Sequence, residues 1–366
     1  MNLNFAGNTL FGSFNLVAGV IPSSAIKRVL QGVKVSVCGG KVELTATDLE
    51  VLVKCQVPVR SCEGEGSVIL PAVRVNNIFR EWASNEEVLI VIEGTNCVIK
   101  SKGGHFKIVG EESEQFPQIP TSDIMDFFEV DGEIMGNMAE KVSHAVSKIP
   151  AKANLSGIFM RVDRDSVVMV AADGNRLSFV RRRVNNPGEV AMEGIVNVKC
   201  FMFLQRFVSE CKGTLKVKMG ESRICFAGER GEVVSQLIDG RYPRYEEIIP
   251  KESSIKVEVK REDLLSVVKM ASFMTIEGYR VVKFMFRKGK LILTSKAADI
   301  GESELAIDAN YDGEGFEISF SPDYVIDALK VSEYDVITIE FKDSESAAVF
   351  RTGHDQLDVI MPVELR

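Results

Sequence analysis

The chain has 366 residues, of which 45% are hydrophobic, so it is long enough for roughly two to three domains with cores of their own. Its apolar runs are far shorter than the ~18 residues of a membrane-spanning helix, which predicts a cytoplasmic protein with no membrane contact. The formal net charge of −8 argues against a basic surface that coats nucleic acid, although it leaves room for a locally basic channel.

The predicted elements repeat in one order along the chain. Each repeat opens with a helix, predicted over 8–19, 134–149 and 260–274. Strands follow in the segments 40–55, 165–180 and 289–307. A short strand then turns into a second amphipathic helix, in the segments 68–82, 195–208 and 318–331. More strands close each repeat, for instance in TLKVKMGESRICFAG, where 220–222 is the predicted turn.

Matching residues recur at a nearly constant interval. Leu44, Met169 and Leu293 take the same place in the three strand segments, 125 and 124 residues apart. ESEQFPQIP at 112–120 is echoed by QLIDGRYPRYEEIIP at 236–250. The chain is therefore predicted to contain three modules, each made of two similar half-modules. The predicted modules cover 1–122, 128–248 and 254–366, and the linkers between them, roughly 112–128 and 243–255, lack a helical period.

The segment AADGNRLSFVRRR has some features of a phosphate-binding loop but lacks its pattern. It has one glycine and no following Gly-Lys-Ser/Thr, so Asp173-Gly174-Asn175 is interpreted as a turn. Asp48 takes the equivalent repeat position to Asp173, which explains both as turn residues better than as a pair of catalytic carboxylates.

Cysteines and histidines favour neither a metal centre nor a nucleophilic site. Seven cysteines, without a C-x-x-C pair, lie mostly among apolar residues, which favours buried free thiols. His105, His144 and His354 are far apart and lack metal-ligand spacing. We expect no metal and no cofactor.

Five motifs in order resemble a known family. They are TATDLE (45–50), AADGNRL (171–177), LIDGRYPRYEEIIPK (237–251), SFSPDYVIDAL (319–329) and VIMPVELR (359–366). Over essentially the full length, the chain is similar to the bacterial sliding clamp, the beta subunit of DNA polymerase III. The resemblance implies an α+β fold of three tandem DNA-clamp modules, each of two helix-plus-strands half-modules, with helices lining a ring and sheets outside. Two chains would form a head-to-tail homodimer around duplex DNA.

The implied function is that of a non-catalytic processivity factor in DNA replication. The ring would slide on double-stranded DNA without sequence specificity and hold partners at high local concentration. Those partners would be the replicative polymerase catalytic subunit, the clamp loader and other clamp-motif proteins of replication and repair.

The charge distribution suits a channel for DNA. The six predicted helix segments, 8–20, 71–84, 138–152, 197–212, 259–273 and 321–332, carry a net charge of +5, against −13 elsewhere. Contacts with phosphate permit sliding because no base edge is read. Given the resemblance, the residues expected to face DNA are Lys27, Arg28, Lys148, Lys152 and Lys199. Ordinary solvated helix faces are the alternative explanation.

The resemblance also implies a pocket that captures short peptides from partner proteins. Its residues would be Leu155, Ala172, Gly174, Asn175, Arg176, Leu177, Pro243, Ile248, Val359, Met361, Pro362 and Val363. Such a mostly aliphatic set suits the Leu or Phe anchors of an extended peptide, whereas a plain core is the alternative. The family's apolar dimer contact corresponds to Phe106 against Phe273 and Met274, which internal packing could also explain.

The chain departs from the family's pattern at several positions. Ala172 and Asn175 stand where threonine and histidine are common, Glu247 and Glu345 replace expected basic and aliphatic residues, and Arg366 extends the tail. A more acidic rim should disfavour acidic peptides.

Two other classes of protein remain as alternatives. A hydrolase or transferase would need a site, yet the sequence has no G-x-S-x-G, H-E-x-x-H, Walker or G-x-G-x-x-G motif. An interaction scaffold that does not bind DNA would differ from a clamp in its retention on circular DNA.

Overall fold

The structure is a computed structural model that describes residues 1–22, 24, 27–117, 119, 127–186, 188–211, 213–276, 278, 280–297 and 301–364. Helices and mostly antiparallel sheets alternate along the chain, which confirms the predicted α+β class. Arg366 and Lys212, the last residue of the predicted helix segment 197–212, lie outside the described residues. In the part of the chain that is described, no helix is long and apolar enough to cross a membrane.

The helices of the described residues are α1 (Gly7–Ala18), α2 (Ala72–Glu81), α3 (Gly132–Ser143), α4 (Val198–Glu210), α5 (Tyr245–Ile248), α6 (Arg261–Ser272) and α7 (Pro322–Lys330). All six predicted helices are present. The third is shorter than predicted, because beyond Ser143 the backbone tightens and the N–H groups of Ala145 and Val146 donate to carbonyls three residues back. The short α5 is a single helical turn within the predicted linker 243–255.

The strands of the first half of the chain are β1 (Asn2–Phe5), β2 (Gly32–Cys38), β3 (Lys41–Thr47), β4 (Val51–Val57), β5 (Ser61–Glu63), β6 (Gly66–Pro71), β7 (Val88–Glu93), β8 (Asn96–Ser101), β9 (Gly104–Val109), β10 (Phe128–Asp131), β11 (Gly157–Val162), β12 (Ser166–Ala172) and β13 (Arg176–Arg183). Those of the second half are β14 (Met192–Asn197), β15 (Thr214–Met219), β16 (Arg223–Gly228), β17 (Gly231–Gln236), β18 (Ile255–Lys260), β19 (Val282–Arg287), β20 (Lys290–Ala297), β21 (Gly301–Asp308), β22 (Phe316–Phe320), β23 (Val336–Phe341), β24 (Ala348–Gly353) and β25 (Gln356–Ile360).

The chain forms two compact units. The first comprises Met1–Gly136, Asn185–Met192 and Val196–Leu237. It contains a five-stranded sheet in the order β5-β1-β7-β8-β9 and an eight-stranded sheet in the order β10-β15-β16-β17-β4-β3-β2-β6. Helices α1 and α2 pack together through Phe14 and Phe79, whose rings meet edge to face at 5.0 Å.

The second unit comprises Asn137–Val184, Glu193–Ile195 and Ile238–Arg366. Its eight-stranded sheet has the order β14-β11-β12-β13-β25-β24-β23-β18, and its four-stranded sheet has the order β21-β20-β19-β22. Both α3 and β14 are divided between the units. The core under α6 and α7 is rich in phenylalanine, including Phe284, Phe320 and Phe341.

The repeat is visible in the register of single residue pairs. In the first unit β4 pairs with β17, and Leu52 faces Val234. In the second unit β13 pairs with β25, and Leu177 faces Val359. A strand near the end of one module thus extends the sheet of the preceding module in the same way twice. The predicted module boundaries themselves stay a prediction.

The prediction that the cysteines are buried free thiols is largely confirmed. All seven cysteines are free, and only Cys38 is exposed and Cys62 partly exposed. No cluster of histidine, cysteine and carboxylate side chains among the described residues could hold a metal ion.

Candidate functional site

Three rows of residues cross one face of the eight-stranded sheet in the second unit. Residues that face each other on paired strands lie on the same side of a sheet, and alternate residues of a strand point to opposite sides. The first row is Ala172, Leu177, Val359 and Val349. The second row is Phe159, Val170, Phe179 and Leu357. The third row is Arg161, Val168 and Arg181. We call the first two the apolar rows and the third the arginine row.

Two tyrosines cover part of the apolar rows. Tyr242 stacks on Phe159, with ring centroids 5.1 Å apart and 19° between the planes. Tyr245, in α5, lies 5.9 Å from the rings of both Phe159 and Phe179. Burial raises the pKa of both phenols, that of Tyr245 to about 12, so both are neutral at physiological pH. The cover is therefore aromatic and uncharged.

The turn between β12 and β13 borders the first row and has the structure expected from the sequence. The Asp173 carboxylate accepts the backbone N–H groups of Asn175 at 2.9 Å and Arg176 at 3.1 Å, and Gly174 has a φ of +97°. Asp48 accepts N–H groups two and three residues on in the same way, at 3.0 and 2.8 Å. The equivalent aspartates are thus turn residues, as predicted.

Arg176 ties this turn to its surroundings. Its guanidinium donates to Asp173 at 3.0 Å and to Asp327 of α7 at 2.9 Å, and it also donates to the backbone carbonyl of His144. Its plane lies over the ring of Tyr324, 4.5 Å from the centroid. Because the group is largely buried and satisfied on several sides, it fixes the turn rather than offering a free charge.

The structure brings most of the predicted pocket residues together. Leu155, Ala172, Leu177 and Val359 belong to one buried cluster with both tyrosines. The chain beyond β25 returns to the turn, where the Met361 N–H donates to the Asn175 carbonyl at 2.9 Å. The side chain of Met361 remains 43% exposed, and that of Ile248 remains 44% exposed. It is Ile249, not Ile248, that packs against the cluster. Pro243 comes directly after Tyr242, Pro362 and Val363 come directly after Met361, and all three are partly buried.

Of the three modules, only the second has apolar residues at the repeat positions that form the second row. In the first module the corresponding residues are Lys34, Thr45, Lys54 and Glu232, and Lys54 is paired with Glu232 at 2.7 Å. In the third module they are Lys283, Thr294 and Glu304. The three modules share a backbone register, so the difference lies in the side chains. One of the three repeated surfaces is therefore apolar where the other two are polar or charged.

Sequence reasoning missed several residues of this face. Phe159, Phe179, Tyr242 and Tyr245 did not enter the predicted pocket, although they form much of its surface. A comparison of the three repeats position by position would have revealed them, because phenylalanine stands in the second module where lysine stands in the first.

The residues expected to face DNA have different surroundings. Lys27, Arg28 and Lys148 are exposed, whereas Lys152 donates to the carbonyl of Asp173 at 2.8 Å and therefore lies against the β12–β13 turn. Lys199, on α4, is paired with Asp48 at 3.3 Å and Glu50 at 3.1 Å. Although burial opposes it, hydrogen bonds to these carboxylates raise the pKa of Lys199, so it stays charged.

A cleft of the first unit adds basic residues that the sequence analysis did not single out. Arg28, Arg74 and Arg80 line a cleft of about 530 Å³ bordered by α1 and α2. Among the described residues, none of these three arginines has a carboxylate within salt-bridge distance. Unpaired guanidinium groups beside a cleft are suited to phosphate.

The residues expected at a dimer contact lie near two sheet edges. Phe106 is on β9, the edge strand of the five-stranded sheet, and is 45% exposed beside Trp82. Phe273 follows α6 and is 71% exposed, while Met274 is partly buried beside Gly301 at the start of edge strand β21. Internal packing therefore does not account for the two phenylalanines.

A chain in which pairs of helices and antiparallel sheets recur in three modules is a protein of the DNA-clamp class. Comparison with protein families also gives three tandem domains. The DNA polymerase III beta subunit N-terminal domain matches residues 1–120, the central domain matches 129–244 and the C-terminal domain matches 246–364.

Individual relatives agree with these matches. The beta sliding clamp of Chlamydia muridarum is 27% identical over 365 residues, which is 100% of this chain and 99% of the relative. The DNA polymerase III beta subunit of Thermotoga maritima, 26% identical, superposes over 100% of both chains with a TM-score of 0.93. The Pseudomonas aeruginosa sliding clamp, solved with griselimycin bound, has the same fold, with a TM-score of 0.95, 24% identity and 100% coverage of both chains. The chain belongs to the DNA polymerase III beta subunit family, the bacterial sliding clamps, which are accessory rather than catalytic subunits in DNA replication.

Proposed function

We propose that two copies of this chain form a head-to-tail ring in the cytoplasm that encircles duplex DNA and slides on it. The ring tethers the replicative polymerase, the clamp loader and other proteins that carry a clamp-binding peptide. The observation that carries this proposal is the complementarity of two edge strands, β9 in the first unit and β21 in the second.

The two edges are complementary in hydrogen bonding and in charge. As edge strands, both leave alternate backbone N–H and C=O groups without a ladder partner in the described part of the chain. His105 and Lys107 are on β9, whereas Glu302, Glu304 and Asp308 are on β21. Because the edges differ, their pairing is head-to-tail, and such an interface closes a ring when its rotation allows. Phe106, Phe273 and Met274 would fill the apolar part of this contact.

The basic residues supply the contacts with DNA. Lys27, Arg28, Lys148 and Lys199 would meet phosphates with Arg74 and Arg80, and Lys152 would do so from its place at the turn. The net charge of −8 makes the protein as a whole repel DNA. Retention of the ring on DNA therefore depends on enclosure of the duplex rather than on tight binding.

The apolar rows supply the partner site. An extended peptide with Leu or Phe anchors would lie on Leu177 and Phe179, against Met361 and the prolines Pro243 and Pro362. Support comes from the contrast among the modules, since only this copy of the surface is apolar.

The interface is tested by replacing Phe273 with Asp and measuring mass by sedimentation equilibrium. A charge at this exposed position should prevent burial of the contact while leaving the fold intact, since the side chain touches little within its own chain. We expect the unchanged protein and the control Leu89→Asp, an exposed leucine on β7, to sediment as dimers and Phe273→Asp to sediment as a monomer. A monomeric unchanged protein at micromolar concentration, or a dimeric Phe273→Asp variant, would contradict the proposal.

A further inference from the structure

We propose that Arg181, together with Phe179 and Tyr245, forms a separate subsite beside the pocket that binds a carboxylate side chain of the partner peptide. This inference rests on the proposed function, because the peptide must first be held by the apolar rows.

The position of Arg181 follows from the strand. Leu177, Phe179 and Arg181 alternate along β13 and therefore point to one side of the sheet, each about 7 Å from the next. Leu177 is 2% exposed, Phe179 is partly buried and Arg181 is exposed. The floor of the pocket thus continues outward and ends at a cation.

Arg181 differs from Arg161 and Arg182 in having no ion-pair partner in the described part of the chain. Arg161, at the far side of the same row, is held by Asp163 at 3.2 Å and Glu246 at 3.0 Å. Arg182, on the opposite side of the strand, is held by Glu333 at 2.8 Å. No carboxylate among the described residues lies within salt-bridge distance of Arg181.

The Arg181 guanidinium lies over an aromatic ring. Its central carbon lies 5.8 Å from the centroid of the Phe179 ring, which in turn contacts Tyr245. A cation over an aromatic face is partly desolvated yet keeps its N–H groups at the edge of its plane. Those N–H groups are arranged to bind a carboxylate with two parallel hydrogen bonds.

The repeats show that this arrangement is confined to the second module. In the first module the residue at the place of Arg181 is Gln56, and Lys54 stands in place of Phe179 with its charge already paired. In the third module the residue at the place of Arg181 is Ala306. The cation therefore accompanies the only apolar copy of the surface.

The distance between Arg181 and the pocket predicts how many residues separate the carboxylate of the peptide from its apolar anchor. Arg181 is four residues from Leu177, which is about 13 Å along an extended strand. A peptide in extended form has the same rise per residue. Its carboxylate should therefore lie roughly three to five residues from its apolar anchor.

The test uses fluorescein-labelled ten-residue peptides with one Leu-Phe anchor and otherwise Gln and Ser, titrated with the intact protein and followed by fluorescence anisotropy. A single Glu is moved through the flanking positions, and each peptide is compared with its Gln counterpart. At one position three to five residues from the anchor, we expect Glu to lower the Kd by about five- to tenfold at low salt. The gain should shrink as salt is raised.

Two variants locate the effect. In Arg181→Gln the advantage of Glu should vanish, while the Gln peptide keeps its Kd within about twofold, since its anchor contacts are unchanged. The control Arg183→Gln removes the same charge from the same side of β13, about 7 Å further from the pocket, and should keep the advantage.

Each other outcome has a definite meaning. The subsite proposal is overturned, and the pocket stands, if the Gln peptide binds but Glu lowers the Kd at no position. It is also overturned if Arg183→Gln reduces the affinity advantage of the Glu peptide as much as Arg181→Gln does. If no peptide of the series binds the unchanged protein, the proposed pocket fails and the subsite fails with it.

Discussion

At the scale of single residues, Arg176 holds one border of the candidate pocket. It joins the β12–β13 turn to α7 through Asp173 and Asp327, and its removal would leave both carboxylates without this partner. We expect Arg176→Ala to lower the free energy of unfolding by about 2–4 kcal/mol, measured by urea denaturation.

The matched control is Lys288→Ala. Lys288 pairs with Asp312 at 2.8 Å, but both side chains are almost fully exposed, so its loss should change stability by less than about 0.5 kcal/mol. Equal effects for the two variants would show that the Arg176 contacts add nothing beyond a surface ion pair.

At the scale of elements, the β12–β13 turn depends on Gly174 and Lys152 together. Gly174 has a φ of +97°, which other residues adopt at a cost of about 1–3 kcal/mol, and a Cβ there would meet the Lys152 ammonium group. Gly174→Ala should therefore destabilise the protein by backbone strain and also displace the hydrogen bond from Lys152 to Asp173.

A double-mutant cycle separates the two effects. In a Lys152→Ala background the cost of Gly174→Ala should fall by about 1 kcal/mol, because the displaced hydrogen bond is already absent. Gly289→Ala, at a φ of +72° with nothing within 4 Å, should cost the same in both backgrounds. Additive costs at Gly174 and Lys152 would refute the coupling.

The elements also show which parts of the fold can be predicted from the sequence. Helical period and internal repetition predicted six helices, and turn chemistry predicted the Asp173 turn, because these signals are local. The four-residue α5 is too short to show a period. The apolar rows depend on pairing between β13 and β25, whose residues are far apart in the chain, so the sequence alone did not show that Phe159 and Phe179 join Val359 on one face.

At the scale of the whole molecule, the proposed ring combines weak attraction to DNA with enclosure. The arginines beside the α1–α2 cleft favour phosphate, while the overall charge of −8 opposes general adhesion. Such a protein would leave open DNA easily and stay on closed DNA, because only the ends of the duplex allow a ring to escape.

The measurement that tests this most directly is retention on circular against linear DNA. The protein is loaded onto nicked circular DNA by its cognate clamp loader with ATP, the circle is cut at one site, and DNA-bound protein is separated by gel filtration. We predict that the protein stays on the circle, leaves the cut DNA, and stays again when both ends carry bound protein blocks. Equal retention on circular and unblocked linear DNA would contradict encirclement and leave ordinary DNA binding as the explanation.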